Sequence, residues 1–342
     1  MSRLQSILVT GGAGYIGSHL VAMLGEQGEH IVVLDNLSTG HLQAVLAGRL
    51  VVGDVGNRRL LHALFREYEF EAVFHFAAKT VVPESVAHPL EYYDNNTARA
   101  RTLLAACIEH GVRHFIFSST AAVYGEPPGG VASEHTLPAP LNPYGRSKLM
   151  TEWMLQDACN ASAMRYVILR YFNVAGCDSA GRIGQDTPGA THLVKVACEH
   201  ATGKRPFLNI FGTDYDTLDG TCIRDYIHVE DLVTAHVHAL GHLRTDRESL
   251  IANCGYGHGY SVREVLETVQ RVSGRRLDVR ASGRRPGDMP VVIADNERIR
   301  TRLGWAPRND DIELIVRSAL NWEKLSAPTP SVSPAEFREA VR

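Results

Sequence analysis

The segment "NPYGRSK" puts Tyr144 and Lys148 four residues apart in a stretch suited to starting a helix, so a phenol and an ammonium project from one helical face. Such a pair can act as a proton-transfer unit, because a neighbouring cation favours the phenolate of a group whose ordinary pKa lies near about 10. A Tyr-x-x-x-Lys match on its own is usually a surface pair, with the lysine stem laid over the ring. What decides between these readings is the surrounding scaffold.

The first 35 residues contain a second candidate. A buried strand (residues 7–10) runs into "TGGAGYIG", an amphipathic helix to about Glu26 follows, and a second strand covers residues 31–34. Gly12, Gly14 and Gly17 fit G-x-G-x-x-G, while Gly11, Gly14 and Gly17 fit G-x-x-G-x-x-G. Placed between a strand and a helix, these glycines let backbone N–H groups and the helix dipole meet a pyrophosphate. Asp35, at the end of the second strand, is placed to accept hydrogen bonds from the adenosine ribose hydroxyls and to repel a 2′-phosphate, which favours NAD over NADP. Asp54, after a third strand, is placed to reach the adenine amino group.

Further apolar runs near residues 50, 72, 115 and 168 alternate with helical segments, which predicts an α/β fold with a doubly wound parallel sheet. The stretch from Pro89 to His110 is predicted to be a single helix. From about residue 175 the alternation weakens. The expected organisation is therefore an NAD-binding domain over residues 1–174, a smaller mixed α/β substrate domain over 175–325, a return of the chain to the first domain near 225–245, and a Pro- and Ser-rich mobile tail over 326–342.

A formal net charge of −3 and 21% charged residues give no sign of a nucleic-acid partner. No apolar run is long enough to span a membrane, and the amino-terminal residues lack the pattern of a secretion signal, so a cytoplasmic protein is expected. The six cysteines contain no C-x-x-C pair and are expected to be reduced core residues; the sixteen histidines show no metal-ligand spacing, so no metal is expected.

In chain order, "TGGAGYIGSH", "DN", "GDV", "HFAA", "PLEYYDNN", "FIFSSTAAVYG", "NPYGRSK", "LRYFN", "DGTCIRDYIHV" and "RRPGD" resemble the extended short-chain dehydrogenase/reductase family, and within it most closely the UDP-glucose 4-epimerase (UDP-galactose 4-epimerase) branch. The resemblance implies that Tyr144 is the catalytic acid/base, that Lys148 lowers its pKa and holds the nicotinamide ribose, and that Thr120 orients the reacting oxygen. It implies a cofactor set of Gly11, Gly14, Tyr15, Ile16, Gly17, Asp35, Asn36, Asp54, Val55, Phe76, Ala77, Ala78, Asn95, Ser118 and Tyr171 beside Tyr144 and Lys148, with Ser119 helping to shape the pocket. For the nucleotide sugar it implies Asn173, His192, Leu193 and Asn209, Phe211 near the uracil, Arg224 and Arg285 as diphosphate clamps, Asp288 on the uridine ribose and Val292 beside the sugar. Lys79 stands close to a position that contacts substrate in some members.

Related dehydratases carry an Asp-Glu pair after the threonine, and this chain has Ala121 and Ala122. Without a carboxylate there to drive elimination, the 4-keto sugar has little to do but take back its hydride. The expectation is NAD-dependent inversion at C4 of a UDP-hexose, N-acetylated forms included, by a homodimer. A UDP-pentose 4-epimerase and a catalytically silent NAD-binding regulator are the alternatives.

Overall fold

The computed structural model describes residues 5–245, 248–285 and 287–326. In the first half the elements run β1 (Gln5–Thr10), α1 (Tyr15–Glu26), β2 (Ile31–Asp35), β3 (Arg49–Val52), α2 (Arg58–Glu67), β4 (Glu69–His75), α3 (Val82–Ala87), α4 (Pro89–Tyr92), α5 (Arg99–Glu109), β5 (His114–Thr120), β6 (Val131–Ala132), α6 (Pro143–Asn160) and β7 (Arg165–Tyr171). The second half adds β8 (Asn173–Ala175), α7 (Leu193–Ala201), β9 (Leu208–Phe211), β10 (Ile223–Arg224), β11 (Tyr226–His228), α8 (Val229–Thr245), β12 (Leu250–Cys254), β13 (Tyr260–Ser261), α9 (Val262–Ser273), β14 (Val279–Ser282), β15 (Val291–Ala294), α10 (Glu297–Leu303) and α11 (Ile312–Leu325).

Seven parallel strands form the main sheet in the order β12-β7-β5-β4-β1-β2-β3. Its central strands are continuous apolar runs because both faces are covered. Side chains alternate between the faces: Ile7, Val9, Ala72, Phe74 and Ile116 join one core with residues of α1 and α8, while Leu8, Val73, Phe115 and Phe117 join another with residues of α2, α5 and α6. Each fully buried side chain of this size contributes about 1.5 to 3 kcal/mol. The strand order reverses between β1 and β4. The loops after these two strands therefore part and open a crevice at the carboxyl ends of the sheet, the usual ligand site of open α/β sheets.

Elements of the second half build a four-stranded sheet, β13-β10-β15-β6, and two strand pairs, β11-β8 and β14-β9. The small sheet recruits β6 from the first half, and α8 packs against α1, β5 and β7. The two halves are thus laced together on both sides of the crevice.

The single helix expected over Pro89–His110 is interrupted. Between α4 and α5 the backbone widens into a π-helical turn, Tyr93–Ala98, a feature that often marks functional segments. All six cysteines are buried and unpaired. Among the described residues no helix is long and apolar enough to cross a membrane. The predicted tail, apart from residue 326, lies outside the described residues.

Candidate active site

The glycine loop after β1 is built by close backbone approach. Gly11 has φ +72°, and a Cβ there would lie 2.5 Å from the Ala77 nitrogen; one at Gly17 would lie 2.2 Å from the Gly11 carbonyl oxygen. Phe76 and Ala77 both donate backbone N–H groups to the Thr10 carbonyl, which fixes the 76–78 loop against the glycines. Gly14 caps α1 without a side-chain acceptor. The leading N–H groups of Tyr15, Ile16 and Gly17 have no carbonyl inside the helix and converge with the helix dipole on an anion site. Tyr15 also donates its hydroxyl to the Gly176 carbonyl at 2.7 Å, tying this turn to the second half of the chain.

Asp35 is buried at the end of β2. Its carboxylate accepts from Ala13 N–H at 2.9 Å and Leu37 N–H at 2.8 Å, while burial raises its pKa. Each oxygen keeps a lone pair for a ribose hydroxyl. Asn36 donates to Asp54 at 3.1 Å, and Asp54 also accepts from Gly56 N–H and pairs with Arg99, so both acids stand at one rim with Val55 buried beside them. This cradle fits a dinucleotide: bare N–H groups for the pyrophosphate, acids for the adenosine hydroxyls and amine, and no room for side chains at the glycines.

Asn142 caps α6 by accepting from Gly145 N–H at 2.9 Å, and Pro143 takes the first turn, where no N–H is needed. One face of α6 then carries Tyr144 and Lys148 against the end of β5. Thr120 ends that strand, accepts from Ala122 N–H at 3.1 Å and hydrogen-bonds Tyr144. Burial pushes the Tyr144 phenol up to about 12, with the Thr120 bond opposing that rise. Burial lowers Lys148 to about 7, with the Glu152 charge opposing. The ammonium donates to the Ser118 carbonyl at 2.9 Å and sits 4.9 Å from the centre of the Phe117 ring. Burial is the largest influence on both groups, and the lysine is directed onto the Ser118 carbonyl.

Several residues that sequence reasoning passed over support this centre. Asn95, the expected cofactor contact, is partly exposed, and its neighbour Asn96 is buried. Asn96 accepts from Lys79 N–H at 2.8 Å and donates to the Lys79 carbonyl and to Ser147, next to Lys148. Asn95 donates to Asn96 at 2.9 Å. Lys79 itself is drawn to Glu84 and Glu91, at 3.1 and 2.8 Å. Glu152, one turn beyond Lys148, is fully buried, pairs with Arg170 and accepts from Ser119. Its place in Tyr144-x₃-Lys148-x₃-Glu152 was the available signal. His62, Glu109 and His110 form a cluster of metal-ligand type on α2 and α5, but the His62 ring nitrogens are already paired with Arg58 and His110.

The nucleotide end gathers from the second half. Arg224 on β10 stands in register with Val292 on β15 and lies 3.6 Å from Asp288. Next in sequence, Asp225 is buried and accepts from the N–H groups of Tyr256, Gly257 and Ala294; burial raises it to about 6 against those bonds. Asp225 also offers its carbonyl to Asn173 N–H. The Arg285 guanidinium carbon lies over the Phe211 ring, 3.7 Å from its centre, and Asn209 is exposed on the same strand, β9. His192, which accepts from Gln185 at 2.8 Å, caps α7, and Leu193 begins that helix. Val292 is buried in a cluster with Ala121, Tyr124, Leu149 and Phe172. Tyr171, at the end of β7, hydrogen-bonds Ser118.

Residues 7–255 match the model of the NAD dependent epimerase/dehydratase family. The chain is 57% identical to the UDP-glucose 4-epimerase of Azospirillum brasilense, over 93% of its own length and 92% of that protein. Among solved structures it resembles the UDP-glucose 4-epimerase of Brucella ovis in complex with NAD, at 44% identity and a TM-score of 0.90 over 92% of this chain and 97% of that one. It also resembles the UDP-Glc/GlcNAc 4-epimerase of Campylobacter jejuni, at 49% identity and a TM-score of 0.83 over 94% and 100%.

Proposed function

The chain belongs to the NAD dependent epimerase/dehydratase family, and from that premise we propose that it is an NAD-dependent isomerase that inverts C4 of UDP-glucose and UDP-galactose through a 4-keto sugar. The observation that carries this reading is the catalytic corner itself: Tyr144 and Thr120 are hydrogen-bonded at the end of β5, with Ala121 and Ala122 where an eliminating enzyme needs carboxylates.

The glycine loop holds the pyrophosphate of NAD, Asp35 the adenosine ribose, and Lys148 the nicotinamide ribose. Bound NAD supplies a hydride acceptor, and then a donor, at C4, together with a positive ring charge. Tyr144 takes the C4 hydroxyl proton as the ketone forms and returns it as the alcohol is restored, while Thr120 holds the same oxygen in line. Because burial resists the phenolate, proton removal depends on nearby positive charge, and Lys148 is the residue placed to share it. Asn173, His192, Leu193, Asn209, Phe211, Arg224, Arg285 and Asp288 receive the UDP end, guanidinium forks suiting phosphate oxygens.

Residues 1–174 with α8 serve as the NAD-binding domain and residues 175–325 as the sugar-nucleotide domain. Exposed Trp153 and Met150 on α6 and Ile108 on α5 suit a homodimer face. The unpaired cysteines suit the reducing cytoplasm.

Val292 extends the reading to N-acetylated sugars, since a valine leaves space that a tyrosine would fill. The two sugars named for the Campylobacter jejuni relative support this. The test is a panel of UDP-glucose, UDP-N-acetylglucosamine and UDP-xylose. Interconversion of UDP-glucose and UDP-galactose without net growth of absorbance at 340 nm is expected; net NADH release would overturn the epimerase reading. Activity confined to UDP-xylose would favour the pentose alternative.

A further inference from the structure

Lys148 reaches the catalytic corner through a carbonyl, and that carbonyl belongs to a residue held from the far end of the chain. His236, on α8, is wholly buried, with its ring centre 4.8 Å from that of Phe76 and 6.4 Å from those of Phe74 and Tyr171. Its Nδ1 lies 2.9 Å from the Leu232 carbonyl, and its Nε2 lies 3.0 Å from the Ser118 hydroxyl.

A carbonyl only accepts, so the proton of the neutral ring sits on Nδ1 and Nε2 must accept from Ser118. Burial holds the ring near 4, so it stays neutral around pH 7. The Ser118 backbone carbonyl in turn accepts from Lys148 at 2.9 Å. The Leu232 carbonyl thus sets the direction of the His236–Ser118 bond.

We propose that His236 is a positioning residue for catalysis: as an acceptor fixed in one tautomer, it orients Ser118 and thereby aims the Lys148 ammonium beside Tyr144. The proposal rests on the epimerase reading for its kinetic consequence and on geometry alone for its placement. It also gives α8 a role beyond packing, since the same ring packs at a tilt against Phe76, in the loop that abuts the glycine turn.

The test uses the enzyme as purified, with wild type, His236→Phe, His236→Gln and Ser118→Ala compared. Phenylalanine keeps an aromatic ring against Phe76 and removes the acceptor; glutamine restores an acceptor oxygen. His236→Phe is expected to lower kcat about tenfold, the effect of about 1.4 kcal/mol, with KM for the sugar nucleotide and bound NAD little changed. His236→Gln is expected to recover most of the loss. Wild-type kcat in His236→Phe, or a glutamine variant as impaired as the phenylalanine one, would overturn the proposal. Nitrogen-15 NMR of histidine-labelled enzyme adds a readout independent of turnover. His236 should show a protonated Nδ1 and a bare Nε2 whose resonance moves in Ser118→Ala; a protonated Nε2, or no movement, would overturn the placement. If His236→Phe does not fold, Ser118→Ala carries both arms. Should wild type lack epimerase activity, it is the epimerase reading that fails, and the nitrogen spectra decide the placement of His236.

Discussion

Replacing Lys148 with methionine should make the protein freed of dinucleotide differ from wild type in a pH-dependent way. Burial lowers the lysine from 10.5 to about 7. Between these values the unfolded chain binds more protons than the folded one, so wild-type stability rises with pH across pH 7 to 10.5 and is flat below it. A shift of this size costs the folded wild type about 4 to 5 kcal/mol at pH 7. Methionine has similar length and no charge, and it removes that cost. Against this, the variant leaves the Ser118 carbonyl without its donor, a loss of about 1 to 3 kcal/mol, and forfeits the ammonium over the Phe117 ring, about 1 kcal/mol. The balance at pH 7 is about 0 to 3 kcal/mol in favour of the variant. By pH 10 the sign should have reversed. Urea denaturation of both cofactor-free proteins at pH 6, 7, 8, 9 and 10 measures the difference, which should move toward wild type by about 1.4 kcal/mol per pH unit above pH 7. A pH-independent difference would refute the assignment of Lys148 as a buried, weakly basic amine.

Tyr144→Phe should keep the fold and bound NAD, judged by circular dichroism and nucleotide content, while epimerisation falls about 100- to 10,000-fold for loss of the acid/base; turnover near wild type would exclude the phenol. Nucleotide released on denaturation should be NAD, and added NADP should not displace it, because a 2′-phosphate would face Asp35; mass spectrometry of the released nucleotide checks this. Light scattering should give twice the monomer mass, and Trp153→Glu should shift the protein toward monomer; a monomeric wild type would exclude the dimer.

The glycine loop, Asp35 and the Tyr144–Lys148 pair were legible in the sequence because each depends on neighbouring residues. A glycine trio between a strand and a helix carries its backbone geometry with it, and two residues four apart on a helix share a face whatever packs against them. The alternating elements likewise announced the sheet. Other features were set only when distant segments met. The bonds of Asn96, which lies in the π turn, to Lys79 and Ser147 join segments 17 and 51 residues apart. Nothing in the spacing of "PLEYYDNN" encodes that. Arg285 settles on Phe211, 74 residues away (285 minus 211), and His236 reaches Ser118 across 118. The low basicity of Lys148 belongs to the same class, since it comes from burial between α6 and the sheet rather than from its sequence neighbours. Periodicity in a sequence reports which side chains leave water, because that depends on local geometry. Which buried groups then face one another depends on the order of strands and the path of the crossovers, and so the bond partners of buried polar groups are decided in the tertiary structure.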